Sequence, residues 1–219
     1  MTARPLTIPV GDAAVSALLE RPPETRLLYV VAHGAGAGMR HPFMNAAAAA
    51  LAARGIATLR YQFPYMEAGR RRPDSPRVAQ ATVVAAAREA LELEPGLPLI
   101  AGGKSFGGRM TSQAAAEEPL AGVRGIAFLG FPLHAPGKPG VERAAHLTRV
   151  SVPMLFLQGT RDAFADLELL RSVVEPLGER ARLHLIEGAD HGFAVPRGER
   201  WRDIHAELAT AIADWAAEL

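Results

Sequence analysis

The sequence contains no cysteine. Disulfides, cysteine-based zinc sites and a cysteine nucleophile are thereby excluded, and the composition fits a reducing compartment. Neither sign of charge is in excess: 24 Lys+Arg face 23 Asp+Glu, a formal charge of +1. Nothing marks a nucleic-acid surface or a membrane-binding face. Lysine is scarce, standing only at Lys104 and Lys138, which together with the abundance of alanine reads as compositional bias. The segment Met1 to Glu20 lacks the basic start and apolar run of a signal peptide. The alanine-rich run Ala46 to Ala53 is far too short to span a bilayer. A soluble, cytoplasmic chain is expected, with neither nucleic acid nor membrane among its partners.

What is present is an ordinary globular mixture. The 219 residues, 49% hydrophobic and 21% charged, suit one domain over residues 1–219 with a substantial core. Leu6 to Val10 and Val15 to Leu19 flank the turn pair Gly11-Asp12 and read as a hairpin. The continuous apolar run Leu27 to Ala32 has the pattern of a strand buried on both faces. Strand patterns follow at Ile56 to Tyr61, Leu97 to Gly102, Val123 to Leu129, Val152 to Leu157 and Ala181 to Ile186. Helical patterns lie between them, at Pro42 to Arg54, Pro76 to Leu93, Phe106 to Glu117 and about Ala163 to Leu177, with a closing helix from Arg200 to Leu219. The alternation predicts an α/β protein with a mostly parallel sheet covered by helices on both faces. In such sheets the site lies beyond the carboxyl ends of the strands. The loops after Ala32, Tyr61, Gly102, Leu157 and Ile186 are therefore where chemistry is sought.

Gly103-Lys104-Ser105-Phe106-Gly107 reads G-x-S-x-G between a strand and a helix. That context sets a serine at the tip of a tight, strained turn, with small neighbours because the adjoining elements crowd it. Two phosphate-binding readings fail in register. A P-loop ending at Gly103-Lys104-Ser105 needs glycine where Pro98 stands. A dinucleotide fingerprint starting at Gly34 or Gly36 needs glycine at Met39 or His41.

A serine nucleophile needs a base and an oxyanion site. His191, in the loop after the last strand, is the candidate base. His184 and His205 fall within a strand and a helix and read as structural. Asp162, after the strand ending at Leu157, is the candidate orienter, with Asp166 and Asp190 as alternates. Asp190 directly precedes the histidine and would struggle to turn back onto its ring. The oxyanion donors are expected to be the N–H groups of Phe106 and of Ala35, with Gly36 as alternate.

Taken together, HGAGAG, GGKSFGGR, LQGTRD and GADHGF resemble the α/β-hydrolase superfamily near the dienelactone hydrolases. More narrowly, the chain is similar to a family that includes bacterial hydrolase-like proteins, a testis-expressed protein and a subunit of a histone-acetyltransferase complex. The segments Arg60 to Glu67 and Gly130 to His134 add to that likeness. The resemblance implies an α/β-hydrolase fold and triad roles for Ser105, Asp162 and His191. It departs from the dienelactone hydrolases, whose nucleophile is cysteine, at Ser105.

About twenty residues separate the strand ending near Gly130 from the next, with at most one short helix, Val141 to Leu147. A minimal cap, or none, is expected. Phe63, Tyr65, Met66, Phe106, Phe131 and Phe193 are candidates for an apolar pocket wall, and Gly34 and Gly36 for close backbone approach to substrate. Were several of His33, Arg40, His41, Lys104, Arg109, His134 and Arg161 to face it, an anionic acyl group would be favoured. The expected function is a serine hydrolase acting on a small carboxylic ester or thioester, with no metal and no organic cofactor. The alternatives are a non-catalytic interaction protein on the same scaffold, or a C–C bond hydrolase or acyltransferase using the same residues.

Overall fold

In the computed structural model, residues 3–195 and 203–219 are described. The hairpin pattern becomes β1 (Arg4–Val10) and β2 (Ala13–Glu20), an antiparallel pair. The chain continues through β3 (Leu27–Ala32), α1 (Pro42–Ala52), β4 (Ile56–Tyr61), a short α2 (Pro64–Glu67), α3 (Pro76–Leu93), β5 (Leu99–Lys104) and α4 (Phe106–Glu117). It closes with β6 (Val123–Leu129), β7 (Met154–Gly159), α5 (Leu167–Val174), β8 (Ala181–Ile186) and α6 (Ile204–Ala216). The eight strands form one sheet in the order β1-β2-β4-β3-β5-β6-β7-β8. From β4 to β8 all neighbours are parallel.

The apolar runs split across this sheet by alternation. Leu27, Tyr29 and Val31 join the core beneath α1 and α6, while Leu28, Val30 and Ala32 join the core beneath α3, α4 and α5. Successive side chains of a strand point to opposite faces, so a strand covered on both sides runs predominantly apolar. Each Leu, Val or Phe so buried contributes about 2 kcal/mol of transfer free energy.

Several boundaries differ from the sequence expectation: β5 and β7 each begin and end two residues later than their patterns, and α1 ends at Ala52 rather than Arg54. The helix expected from about Ala163 begins at Leu167, because residues 163–165 close a turn onto Asp162: Phe164 N–H donates to its Oδ1 and Ala165 N–H to its carbonyl. Asp166, expected one turn inside that helix, is instead its N-cap and accepts from Leu169 N–H at 3.0 Å. At the other end Pro176 falls in a 3₁₀ segment, Glu175–Arg180, that replaces the last α turn. The stretch Val141 to Leu147 is no α-helix but part of two 3₁₀ turns, Glu142–Ala144 and Leu147–Arg149. No cap is built between β6 and β7. The last helix starts at Ile204, capped by Asp203; its expected first residues, 200–202, lie outside the described residues. No described helix is long and apolar enough to cross a membrane.

Candidate active site

The turn between β5 and α4 carries Ser105 at φ 50°, ψ −115°, one of two non-glycine residues with positive φ among the described residues. Such a backbone is strained for an L-residue. Packing enforces it. A Cβ on Gly107 would stand 2.6 Å from the Ala32 Cβ and from the His33 carbonyl oxygen, and one on Gly108 would stand 2.6 Å from the Gly103 carbonyl oxygen. The elbow can press into β3 only because these positions carry no side chain.

Strand order then brings three distant loops together. His191 Nε2 lies 2.8 Å from Ser105 Oγ, and its Nδ1 lies 2.7 Å from Asp162 Oδ2. The Asp162 carboxylate is wholly buried, and the His191 side chain is 21% exposed. Asp162 is saturated with donors: Gln158 Nε2 donates to Oδ2 at 2.5 Å and Phe164 N–H to Oδ1 at 2.7 Å. These bonds hold the carboxylate in one orientation, and an imidazole bound to it through Nδ1 turns its Nε2 toward Ser105 Oγ. The Phe164 ring packs on the imidazole at 4.3 Å. The alternate Asp190 turns away, accepting from Gly192 and Ala194 N–H through Oδ1.

The Gly34–Gly38 loop faces the serine. Gly36 N–H donates to Tyr65 Oη at 2.9 Å and Ala37 N–H to the Gly34 carbonyl. Ala35 N–H has no acceptor among the described residues, which separates Ala35 from its alternate Gly36. Phe106 N–H stands at the first position of α4, where no intrahelical acceptor exists.

A cleft of about 270 Å³ opens over Ser105, lined by Gly34, Ala35, Ala37, His41, Phe43, Met44, Lys104, Phe164, His191 and Gly192. Larger hollows beside β1 and β2, and at the opposite end of the strands near Arg26 and Leu219, contain none of these groups. Ala37, Phe43, Met44, Phe164 and Gly192 were not singled out from sequence. Nor was Gln158, although it stands four residues before Asp162 in the same LQGTRD motif. Among the described residues, no three His, Asp or Glu side chains are grouped to share a metal ion.

Several expected wall residues lie elsewhere, and the structure corrects them. Phe63, Tyr65 and Phe131 are fully buried core, because aromatics at strand ends pack under the loops rather than into the cleft. His33 is also fully buried: Phe63 N–H donates to its Nε2, so the proton sits on Nδ1 and is donated to the Gly34 carbonyl at 2.7 Å. Burial pushes its pKa down to about 4, against a smaller opposing effect of the Gly34 hydrogen bond. His134 is likewise engaged, accepting from Asp166 N–H through Nε2 and donating from Nδ1 to Ala135. Phe193, at φ 62°, is 5% exposed and stacks on Phe43 behind the cleft wall. Gly36 supports the loop from behind, through Tyr65. Of the basic residues named from sequence, only Lys104 and His41 line the cleft, so that set does not form a basic rim around it.

A model of the family described as Alpha/beta hydrolase domain matches residues 25–217. Among solved structures, the chain is similar to dienelactone hydrolase from Anabaena variabilis, with TM-score 0.74 and 23% identity over 99% of this chain and 95% of that one. It is similar to an α/β serine hydrolase without lid from Xanthomonas campestris, with TM-score 0.74 and 20% identity over 97% and 94% of the two chains. It also resembles the esterase domain of a Rhodothermus marinus protein, with TM-score 0.74 and 17% identity over 100% and 99%. At these identities the likeness is one of fold.

Proposed function

Because this chain belongs to the Alpha/beta hydrolase domain family, we propose that it is a serine hydrolase of small carboxylic esters or thioesters, working as one cytoplasmic domain. The observation that carries this reading is the unbroken hydrogen-bonded line Ser105 Oγ, His191, Asp162 at 2.8 and 2.7 Å, with the serine on a strained elbow at the floor of an open cleft. The motifs HGAGAG and GGKSFGGR support a place near the bacterial hydrolase-like proteins named above.

Ser105 Oγ attacks the substrate carbonyl while His191 Nε2 takes its proton. Asp162 holds the imidazole in the Nδ1–H tautomer and stabilises the imidazolium that forms. The tetrahedral oxyanion is met by the N–H groups of Phe106 and Ala35, both without a competing partner. As the intermediate collapses, His191 returns the proton to the departing alcohol or thiol. Water then enters by the same route and releases the acid from Ser105. The small, mostly apolar cleft favours a short uncharged acyl group over an anionic one.

A fluorophosphonate probe, together with a panel of ester and thioester substrates, tests this reading against Ser105→Ala. Labelling and turnover that vanish in the variant support it. Full labelling of the variant removes Ser105 as nucleophile. An unlabelled, inert wild-type protein favours an interaction protein on the same scaffold.

A further inference from the structure

Lys104 stands directly before the nucleophile, and its side chain folds beneath the last loop. Nζ donates to the carbonyl oxygen of His191 at 2.5 Å. The ammonium also lies 5.8 Å from the Phe43 ring centre and 5.2 Å from that of Phe193, two rings stacked 5.6 Å apart. Gly130 marks the point where this group meets the catalytic line. A Cβ on it would stand 3.1 Å from Lys104 Nζ, 3.6 Å from His191 Nδ1 and 3.7 Å from Asp162 Oδ2. One cation thus touches the backbone of the base and adjoins the side chains of the base and of its carboxylate.

We infer that Lys104 is a positioning residue: its ammonium grips the His191 carbonyl and holds the imidazole between Ser105 and Asp162, and losing its proton releases that hold. The assignment rests on the serine-hydrolase reading for its consequence in catalysis, but not for the grip itself. A charge-assisted bond to a carbonyl is stronger than a neutral one. A neutral amine therefore holds the loop less firmly, and a small displacement of a base is felt strongly in rate. Among the described residues, the acidic groups that act on Nζ are Asp162 from the loop after β7 and Asp190 from the loop after β8, with the titratable His191 beside them; Phe43 of α1 and Phe193 add aromatic walls. Burial pushes the Lys104 pKa down to about 8, with Asp162 and Asp190 opposing that shift. The grip is then mostly made at neutral pH and is lost as the pH rises through about 8.

The test compares wild type with Lys104→Met and Lys104→Arg, using a neutral p-nitrophenyl ester and the imidazole Cε1–H NMR signal of His191, assigned through His191→Gln. In wild type, kcat should fall above about pH 8 and the His191 signal should show an inflection there. Lys104→Met should lower kcat about 10- to 100-fold with KM little changed, and should lack the inflection. Lys104→Arg, which keeps the charge, should restore most of kcat and carry the alkaline fall and the inflection upward. A wild-type kcat in the Met variant, or an inflection near pH 8 that is missing from wild type or survives in either variant, overturns the role. Should wild type fail to react with fluorophosphonate while the inflection is present and vanishes in Lys104→Met, the hydrolase reading fails and the positioning role stands. Normal labelling without the inflection overturns the positioning role and leaves the hydrolase reading standing.

Discussion

Gln158 Nε2 donates to Oδ2 of Asp162 at 2.5 Å, the same oxygen that His191 Nδ1 engages at 2.7 Å. The amide is itself fixed, since its Oε1 accepts from Phe131 N–H at 2.9 Å. One buried side chain at the end of β7, together with Phe164 N–H, therefore sets where the carboxylate points. Gln158→Leu should lower kcat about tenfold and leave KM almost unchanged, because the lost bond orients the carboxylate of the proposed triad rather than binding substrate. Steady-state kinetics on a chromogenic ester reads this, and a change confined to KM would contradict it.

Asp162→Asn should be far more severe. Every neighbour of the carboxylate is a donor: Gln158 Nε2, Phe164 N–H and His191 Nδ1–H. An amide NH₂ placed among them faces a donor and turns the imidazole to the wrong tautomer. A loss of about 10⁴-fold in kcat is expected, with the fold retained by circular dichroism.

Gly107→Ala should strike the fold before the chemistry. The added methyl would meet the Ala32 Cβ and the His33 carbonyl oxygen at 2.6 Å, both within the central strand or next to it. A loss of about 3 kcal/mol in urea unfolding is expected. A variant as stable as wild type would show that the elbow does not press tightly on β3.

Acid should weaken the protein through His33. Its folded pKa is lowered from 6.5 to about 4 by burial, so the unfolded chain takes up the proton first as pH falls. Stability from this group is complete above pH 6.5 and is lost between there and about pH 4, a change of about 3 kcal/mol. His146, also held near 4 by burial and by Arg109 and Arg149, acts in the same direction. Urea midpoints at pH 7, 5.5 and 4 should fall steadily, and less steeply in His33→Gln. A flat profile in wild type would be incompatible with a buried neutral imidazole.

Phe43→Ala should widen the cleft on its α1 side. The ratio of kcat/KM for a hexanoyl ester to that for an acetyl ester should rise about tenfold, the usual scale for changes in apolar pocket volume. An unchanged ratio would place the acyl chain on the other side of Ser105.

Much of this was legible locally. The strands Leu27–Ala32, Ile56–Tyr61, Val123–Leu129 and Ala181–Ile186 and the helices Pro76–Leu93 and Phe106–Glu117 follow their apolar patterns residue for residue. The sequence singled out Ser105, Asp162 and His191 as candidates because each sits just past a strand end, and the fold brings the three side chains into contact. The wall residues were not. Phe63, Tyr65 and Phe131 also follow strand ends, and nothing in their spacing tells whether a ring turns up into a cleft or down into the core. Phe43 and Met44 looked like ordinary residues of the first turn of a helix, and their place in the cleft depends on how α1 sits against the β3 loop.

The alternation of elements, the glycine-flanked serine between a strand and a helix, and the lack of any thiol to replace it can all be read along the chain. Those follow from period, turn chemistry and composition, all local properties of the chain. Which polar atoms meet depends instead on how the strands are ordered in space. Ser105 and His191 are 86 positions apart, and Lys104 and the His191 carbonyl 87. Their contact exists because β5, β6, β7 and β8 lie side by side in that order, so that loops remote in sequence end at one edge of one sheet.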